Sequence, residues 1–243
     1  MSSAVYCLFA KEFWSYFRTR LGYFVLIIYA ALSMTAAFYS GGYFDLVNDN
    51  LFSLFYFQPE IFTLLTPALT MRLWADERRY GTLEMLLSQP VNYLSLVIGK
   101  FLAAWAFCAL MLVLTVPLWL TTATLQPLDH LHIVFCYLAC LLAAGALCAV
   151  GCTVSAFNNN PVSAYVISVF ICWLLKLSSF DYVIRAAKIS NELVIRISNS
   201  VNFDQHYQNI LNGQLSPVNL VYFISVIFFA LWINTAAVEY KRS

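Results

Sequence analysis

The chain has 243 residues, of which 62% are hydrophobic and 10% are charged, and its mean hydropathy is +0.76. A soluble domain carries about 25% charged residues, so this composition excludes an ordinary soluble protein and indicates an integral membrane protein. The formal net charge of +1 gives no electrostatic basis for binding nucleic acid.

The N-terminal segment, residues 1–20, is predicted to lie on the membrane surface as an amphipathic helix. Leu8, Phe13 and Phe17 share one helical face, while Lys11 and Arg18 can reach lipid headgroups. The segment is therefore expected to be an interfacial helix in contact with membrane lipids, not a crossing.

Uncharged apolar runs predict an all-α polytopic fold, because about 20 apolar residues cross the hydrocarbon core of a bilayer. The run over 130–175 is too long for one crossing, and the FNNNP sequence at 157–161 is typical of a turn between two helices. We read residues 1–243 as one transmembrane domain with six spans. The predicted spans are residues 21–40, 52–71, 93–121, 132–156, 162–180 and 218–238.

Basic residues set the predicted orientation. They concentrate in the N-terminal segment, in the connection between spans two and three, and in the C-terminal tail, which places both termini in the cytoplasm. Residues 181–216 then form a periplasmic excursion, although Arg185, Lys188 and Arg196 make it more basic than the rule favours. Within it, 205–211 is a candidate short helix that Asn212 and Gly213 would end.

The connection between spans two and three contains a predicted short helix over residues 75–89. Thr82 can cap a helical turn after a break at Gly81, and Leu83, Leu86 and Leu87 share one face. A helix this short is marginal alone in water, so its apolar face needs the membrane domain or a cleft on another protein. The alternative is a solvated turn with ordinary positive-inside charge.

The sequence MRLWADERRYGTLEMLLSQPVNYLSLVIGKFLAA at 71–104 resembles the signature connection of ABC-type exporter permeases of the ABC-2 family, in particular the gliding-motility GldF-like branch. The segments KEFWSYFRTRLGYFVL, VGCTVSAFNNNPVSA and HYQNILNGQLSPVNLVYFISV resemble other parts of the same family. The resemblance therefore extends over most of the chain, with residues 176–204 as the main exception.

This resemblance implies that residues 75–89 form the coupling helix, seated in a groove of a separate cytoplasmic ABC ATPase. Pro90 and Lys100 mark the start of span three. The coupling residues that the resemblance and the helical face indicate are Glu77, Arg78, Arg79, Gly81, Thr82, Leu83, Glu84, Leu86 and Leu87.

The resemblance also implies the partners of the chain. It would pair with a second permease copy or a homologous permease in the bacterial inner membrane, and a periplasmic accessory protein could contact 181–216. ATP and magnesium would bind the partner ATPase, because the chain contains no G-x-x-x-x-G-K-[ST] motif. The chain itself is expected to be a non-catalytic subunit without a cofactor or metal.

Glu60 is the one carboxylate deep within a predicted span. An intramembrane charge is costly and usually faces a cavity or a partner, so Glu60 is a candidate for the translocation path or a subunit seam. The alternative is that the helix starts later and Glu60 lies at the outer interface. Pro67 and Pro117 remove helical hydrogen bonds inside spans and are candidate hinges.

Several other features are interpreted as structural. Gly145, Ala149, Cys152 and Ala156 form a small-residue stripe suited to close helix packing. The seven cysteines are interpreted as small apolar residues. His130, His132 and His206 are expected at the surface and not as metal ligands.

Two other functions remain open at this point. A secondary transporter or channel would need no ATPase, and six spans with a lone Glu60 fit it loosely. A membrane anchor for a motility or envelope apparatus would bind an ATPase whose turnover ignores every candidate substrate.

Overall fold

The computed structural model describes residues 2–40, 51–82, 92–125, 128–177, 202–214 and 216–240, without the side chains of 2–4, 40 and 177. Every regular element in these ranges is a helix, which confirms the all-α expectation. The helices are α1 Ser2–Arg18, α2 Arg20–Thr35, α3 Phe52–Tyr56, α4 Gln58–Thr70, α5 Arg72–Arg79, α6 Tyr93–Val113, α7 Val116–Leu125, α8 His130–Phe157, α9 Pro161–Leu177, α10 Phe203–Leu211 and α11 Pro217–Tyr240.

Within the described ranges, four helical stretches are long and apolar enough to cross a membrane: Arg20–Tyr39, Tyr93–Leu125, His130–Phe157 and Pro217–Tyr240. The first of these is α2 continued by a π-helical turn over Ala36–Ser40. Pro161–Lys176 is a shorter apolar helix. The chain is therefore a membrane-spanning protein, and the count of six spans stays a prediction.

The predicted second span, residues 52–71, is not one continuous helix. It is divided at Phe57 into α3 and α4, and Pro59 lies in the first turn of α4. Proline has no backbone N–H to donate to the preceding turn and is tolerated at the start of a helix. The break therefore falls where Pro59 removes a hydrogen bond. Pro67, by contrast, lies inside α4 without ending it.

The predicted third span is also interrupted. α6 ends at Val113 and α7 begins at Val116, directly before Pro117. In the break, the Thr115 hydroxyl donates to the Leu112 carbonyl oxygen at 2.7 Å and lies 3.0 Å from the Tyr137 hydroxyl. Pro117 explains the break by the same loss of an N–H donor, while its role as a hinge stays a prediction.

α8 is the central helix of the bundle and packs against α11, α4, α9 and α6. Small residues permit these close approaches. A Cβ on Gly145 would lie 2.8 Å from Trp105 Nε1, and a Cβ on Gly151 would overlap Thr70 Oγ1. All four residues of the predicted small-residue stripe are buried, in agreement with a packing role.

α1 packs along α6 and turns into α2 at Thr19. A Cβ on Gly99 of α6 would lie 3.0 Å from Leu8 Cβ, so the two helices cross in close contact. The Tyr16 hydroxyl donates to the Leu69 carbonyl oxygen at 3.2 Å, which joins α1 to α4. The apolar face of the predicted interfacial helix is therefore turned toward the bundle.

Candidate functional site

α5 is the eight-residue helix that leads into the predicted coupling segment. Glu77, Arg78 and Arg79 lie in its last turns, and the chain then passes through Gly81, whose φ of 69° is in the left-handed region that glycine adopts readily. Thr82 Oγ1 donates back to the Glu77 carbonyl oxygen at 3.3 Å. The helix therefore ends before Gly81.

The remaining predicted coupling residues, Leu83, Glu84, Leu86 and Leu87, lie outside the described residues, as does Pro90. The range predicted for the coupling helix, 75–89, is thus described only as far as Thr82. Of its described part, residues 75–79 belong to a helix that starts earlier than predicted, at Arg72, and ends at Arg79.

Lys100 joins α5 to two other helices at this end of the bundle. Its ammonium nitrogen donates to Glu12 Oε1 on α1 at 2.8 Å, to Glu77 Oε1 at 2.7 Å and to the Leu73 carbonyl oxygen at 2.9 Å. These three bonds use all three ammonium donors. The side chain is 1% exposed and also lies 5.1 Å from the centre of the Trp74 ring. We call Lys100, Glu12 and Glu77 the three-helix ion cluster.

Within the three-helix ion cluster, the partner of Glu77 is Lys100 of the same chain. The resemblance predicts that Glu77 faces the ATPase, whereas its Oε1 is bound to Lys100 and its Oε2 is buried with no hydrogen-bond partner in the described part of the chain. Sequence reasoning missed Glu12 and interprets Lys100 only as the start of a span. A lone lysine beginning a long uncharged run is the available signal, because such a charge needs counter-ions.

Arg78 is the α5 residue with the most buried hydrogen-bonding atoms that lack a partner in the described part of the chain. Its three guanidinium nitrogens are buried and none has a hydrogen-bond partner among the residues described. Burial lowers the pKa of Arg78. Burying a guanidinium costs free energy unless it donates to a carboxylate or carbonyl group. This side chain is therefore available to donate to such a group on a partner protein. Arg79 is exposed beside it.

Ser155 of α8 fixes the start of α5. Its Oγ donates to the Met71 carbonyl oxygen at 2.9 Å and accepts from the backbone N–H groups of Trp74 at 3.2 Å and Ala75 at 3.3 Å. The first N–H groups of a helix have no partner within the helix. Ser155 therefore supplies from a neighbouring helix the cap that α5 lacks in its own sequence.

Replacing Ser155 with alanine should lower the free energy of unfolding by about 2 kcal/mol, because buried donors left without partners cost about 1–3 kcal/mol. Unfolding in mixed micelles of mild detergent and SDS would measure the change. Ser163, a half-buried serine whose hydroxyl makes an exposed bond to the Asn160 carbonyl oxygen, provides the control, and Ser163→Ala should change stability little. Equal effects of the two substitutions would contradict the capping role of Ser155.

A polar cavity of about 240 Å³ lies beside the three-helix ion cluster, between α1 and the junction of α4 with α5. Its lining includes Lys11, Arg72 and Asp76 in addition to the three cluster residues. Packing between α1 and α5 is therefore open here, and the ion cluster is a direct link across this space.

A second ion cluster lies at the opposite end of α8, beside α10. Glu60 of α4 forms an ion pair with Lys176 of α9, and Asp204 Oδ1 of α10 lies 3.8 Å from the same ammonium nitrogen. Glu60 is 60% exposed, whereas Lys176 is 5% exposed. Glu60 sits in the first turn of α4, and both alternatives for it, the translocation path or subunit seam and the outer interface, stay predictions.

α10 is docked on the bundle through buried polar contacts. The Tyr207 hydroxyl donates to the Phe55 carbonyl oxygen at 2.6 Å and lies 3.1 Å from Cys140 Sγ. His206 Nδ1 lies 2.8 Å from Asn219 Oδ1, and its ring stacks on Tyr222. The expectation of a surface histidine at this position is therefore wrong, because His206 is buried against α11.

Asp204 provides a pH-dependent test of this second cluster. Burial, together with the charge of Glu60, raises the pKa of Asp204 although Lys176 lowers it in part. A raised carboxyl pKa means that the folded state binds the proton more tightly, so this contribution to stability is present at acidic pH and is lost as pH rises through the folded-state pKa. Asp204→Asn should therefore stabilise the chain at pH 7.5 relative to the native residue.

The same substitution should give a smaller gain near pH 4.5, where Asp204 is more often protonated. Thermal unfolding in detergent at the two pH values would measure both differences. Asp129, an exposed carboxylate that caps α8 through the N–H groups of Leu131 and His132, gives the control: Asp129→Asn should not stabilise at either pH. A larger gain for Asp204→Asn at the acidic pH would mean that the pKa of Asp204 is not raised by folding.

The comparisons with known proteins agree with this architecture. The sequence model of a family described as ABC-2 family transporter protein matches residues 6–233. A comparison with curated proteins gives no significant match. The family match extends from α1 through α5 and the ion clusters into α11, and it includes nearly the whole chain. The chain therefore belongs to the ABC-2 transporter family of membrane proteins.

Proposed function

We propose that this chain is the permease subunit of an ATP-binding-cassette exporter and that a separate cytoplasmic ABC ATPase drives it. The observation that carries the proposal is the family match over residues 6–233, since membership indicates a non-catalytic permease subunit of an ABC transporter. ATP and magnesium would bind the ATPase, and this chain would supply the membrane path.

The coupling contact would lie at the end of α5 and in the segment that follows it. Arg78 supports this placement, because its buried guanidinium has no hydrogen-bond partner within the described ranges. Arg79, Gly81 and Thr82 would complete the described part of the contact. Leu83, Glu84, Leu86 and Leu87 would then present the apolar face to the ATPase groove, and Glu77 would act from the inner side through Lys100.

The translocation path would form between two permeases, either two copies of this chain or this chain beside a homologous subunit. Glu60 would stand near the outer mouth of that path or at the subunit seam. Pro67 would allow α4 to bend, and Pro117 would allow bending at the junction of α6 and α7, as the path changes between inward-closed and outward-open states. ATP binding would bring two ATPases together and displace the coupling segments.

The proposed location is the bacterial inner membrane, with both termini in the cytoplasm. α5 then faces the cytoplasm and α10 the periplasm, because they lie at opposite ends of α8. The GldF-like branch rests on the sequence motif at 71–104 alone. It implies a gliding-motility system and a periplasmic accessory protein in contact with 181–216.

Co-purification tests the central proposal. The tagged chain, isolated in mild detergent, should bring with it an ATPase that contains a P-loop and no membrane spans. Recovery of the chain alone would favour a secondary transporter or channel. Recovery of an ATPase whose turnover ignores every candidate substrate would favour the anchor function.

Charge reversal at Arg78 is expected to weaken this association. Arg78→Glu should lower the recovered ATPase at least about tenfold, because losing one partner of a buried charge pair costs about 2–5 kcal/mol of binding free energy. Arg18, a basic residue at the end of α1, supplies the control, and Arg18→Glu should leave recovery within about twofold. Quantitative immunoblotting of the recovered ATPase, normalised to the tag on the chain, gives the ratio of ATPase to permease.

Orientation is tested separately by labelling. A cysteine at position 86 should react with a membrane-impermeant maleimide added from the cytoplasmic side. Reaction only from the periplasmic side would contradict the proposed topology and with it the coupling role of this segment.

A further inference from the structure

The geometry points to Lys100 as a positioning residue that makes α1 and α5 move as one unit during transport. This inference rests on the proposed function and adds a role for α1, a helix so far described only as interfacial. Its basis is that one ammonium nitrogen holds a carboxylate from each helix, Glu12 at 2.8 Å and Glu77 at 2.7 Å.

The arrangement of bonds makes the two helices dependent on each other. Both ion pairs end on the same atom, so α1 and α5 cannot separate without exposing a buried charge. Lys100 is 1% exposed, while Glu12 and Glu77 are 15% and 18% exposed. In such a setting, breaking one pair leaves an uncompensated charge in a poorly hydrated site. The lowest-energy displacement therefore keeps the three groups together.

The surroundings restrict movement elsewhere and leave room beside the ion cluster. Ser155 fixes the start of α5 to α8, and Gly99 places α6 in close contact with α1 near Leu8. The polar cavity of about 240 Å³ lies beside the ion cluster, between α1 and the junction of α4 with α5. The ion cluster therefore joins α1 and α5 across a space that would otherwise let them move separately, and the joined pair can rock about the end of α6 that carries Lys100.

The functional consequence concerns how force spreads from the coupling segment. A displacement of α5 by the ATPase would pass through Glu77 and Lys100 to Glu12, and so to the whole of α1. α1 continues into α2 at Thr19. The first span would then respond to the ATPase together with the second and third, although it has no coupling segment of its own.

A purely structural role for the three-helix ion cluster would affect stability without changing how the two helices move relative to each other. The test is therefore a distance measurement under turnover. Spin labels at position 14 on α1 and position 80 after α5 report the relation between the two helices. A second pair at positions 80 and 125 reports movement of α5 against the far end of α7. The native side chains at all three positions are exposed: Trp14, Tyr80 and Leu125.

The measurement uses the complete complex of this chain with its ATPase, in nanodiscs, with MgATP as the added ligand. Cys7 is replaced by serine, because it is exposed while the other cysteines are buried. Labelled chain is diluted with unlabelled chain so that each complex carries one labelled copy. In the native sequence, MgATP should shift the 80–125 distance and leave the 14–80 distance unchanged.

Glu12→Leu removes the carboxylate that joins α1 to Lys100 and leaves a neutral Lys100–Glu77 pair, so the fold should persist. In this variant MgATP should shift the 14–80 distance as much as it shifts the 80–125 distance. Lys11→Leu removes a neighbouring charge from α1 and should retain the native behaviour. Lys100→Met should reproduce the effect of Glu12→Leu.

An unchanged 14–80 distance in both Glu12→Leu and Lys100→Met, in complexes that still hydrolyse ATP, would overturn this inference and leave the proposed function intact. A shift of that distance in the native complex would also overturn it. If no ATPase accompanies the purified chain, the proposed function fails, and the inference fails with it.

Discussion

Replacing Lys100 with methionine should lower the free energy of unfolding by about 3–5 kcal/mol, the usual cost of removing one partner from a buried ion pair. The large effect follows from the two carboxylates that Lys100 holds. Without the ammonium group, Glu12 and Glu77 would face each other in a site with little water, and the Leu73 carbonyl oxygen would lose its donor. Titration from mild detergent into SDS, followed by tryptophan fluorescence, would measure the loss.

A neutral variant of the ion cluster separates the contribution of charge to stability from the contribution of side-chain volume. The triple variant Lys100→Met, Glu12→Gln and Glu77→Gln should recover most of the lost stability, because replacing a complete buried ion pair by neutral groups of similar volume is often tolerated. Lys11→Met, at an exposed position one residue from Glu12, should change stability by less than about 0.5 kcal/mol. A triple variant no more stable than Lys100→Met would mean that the ammonium contributes more than its positive charge between the two carboxylates.

Hydropathy and turn residues located the long helices. The span predicted at 132–156 corresponds to α8, His130–Phe157, and the span predicted at 218–238 corresponds to α11, Pro217–Tyr240. Asn-rich and proline-containing turns bound these helices, and such signals are local. The same local chemistry explains the division of the second predicted span, since Pro59 carries no N–H donor.

The contacts that build the candidate site are not local, and the sequence alone did not reveal them. Lys100 meets Glu12 across 88 residues and Glu77 across 23 residues. Ser155 reaches Met71 across 84 residues. Hydropathy indicates that Lys100 begins an apolar run and therefore needs counter-ions, but it cannot say which of several acidic residues supplies them. That choice depends on how α1 and α5 pack on α6.

Polar segments between spans gave a second source of error. His206 lies in a segment whose polarity predicts exposure, yet α10 is docked on the bundle and buries the imidazole against Tyr222. The Tyr207 hydroxyl donates to the Phe55 carbonyl oxygen, and this buried bond holds α10 against the bundle. An amphipathic helix beside a membrane domain can bury one face on the domain, and composition does not distinguish this from exposure to solvent.

Substituting Gly151 with alanine should cost about 3 kcal/mol of stability, near the upper range for overpacking. The added Cβ would overlap Thr70 Oγ1 and lie 3.2 Å from Thr70 Cβ. Thr70 is fully buried, and its hydroxyl donates to the Thr66 carbonyl oxygen at 3.0 Å. Rotation of the side chain would relieve only the first contact, so α4 and α8 must move apart.

A matched suppressor identifies this clash as the cause. Thr70→Ala removes Oγ1 and should recover about half of the loss caused by Gly151→Ala, because the closest contact is eliminated while the Cβ contact remains. Thr70→Ala should not rescue Gly81→Ala, whose added Cβ meets nothing within 4 Å and whose cost of about 1–2 kcal/mol comes from the left-handed backbone. The same SDS titration gives the values for the three single and the two double variants, and equal rescue of both glycine substitutions would contradict the clash.

The position of Gly151 also links this packing contact to the candidate site. Gly151 and Ser155 are four residues apart on α8 and so share one helical face, which is the face that meets α4 and α5. Separating α8 from α4 at Gly151 should lengthen the bonds from Ser155 Oγ to Met71 and to the N–H groups of α5. Ser155→Ala should therefore cost less in the Gly151→Ala background than in the native chain, and a double-mutant cycle measures this difference. If the stability losses of the two substitutions simply add, Ser155 holds α5 independently of the close contact between Gly151 and Thr70.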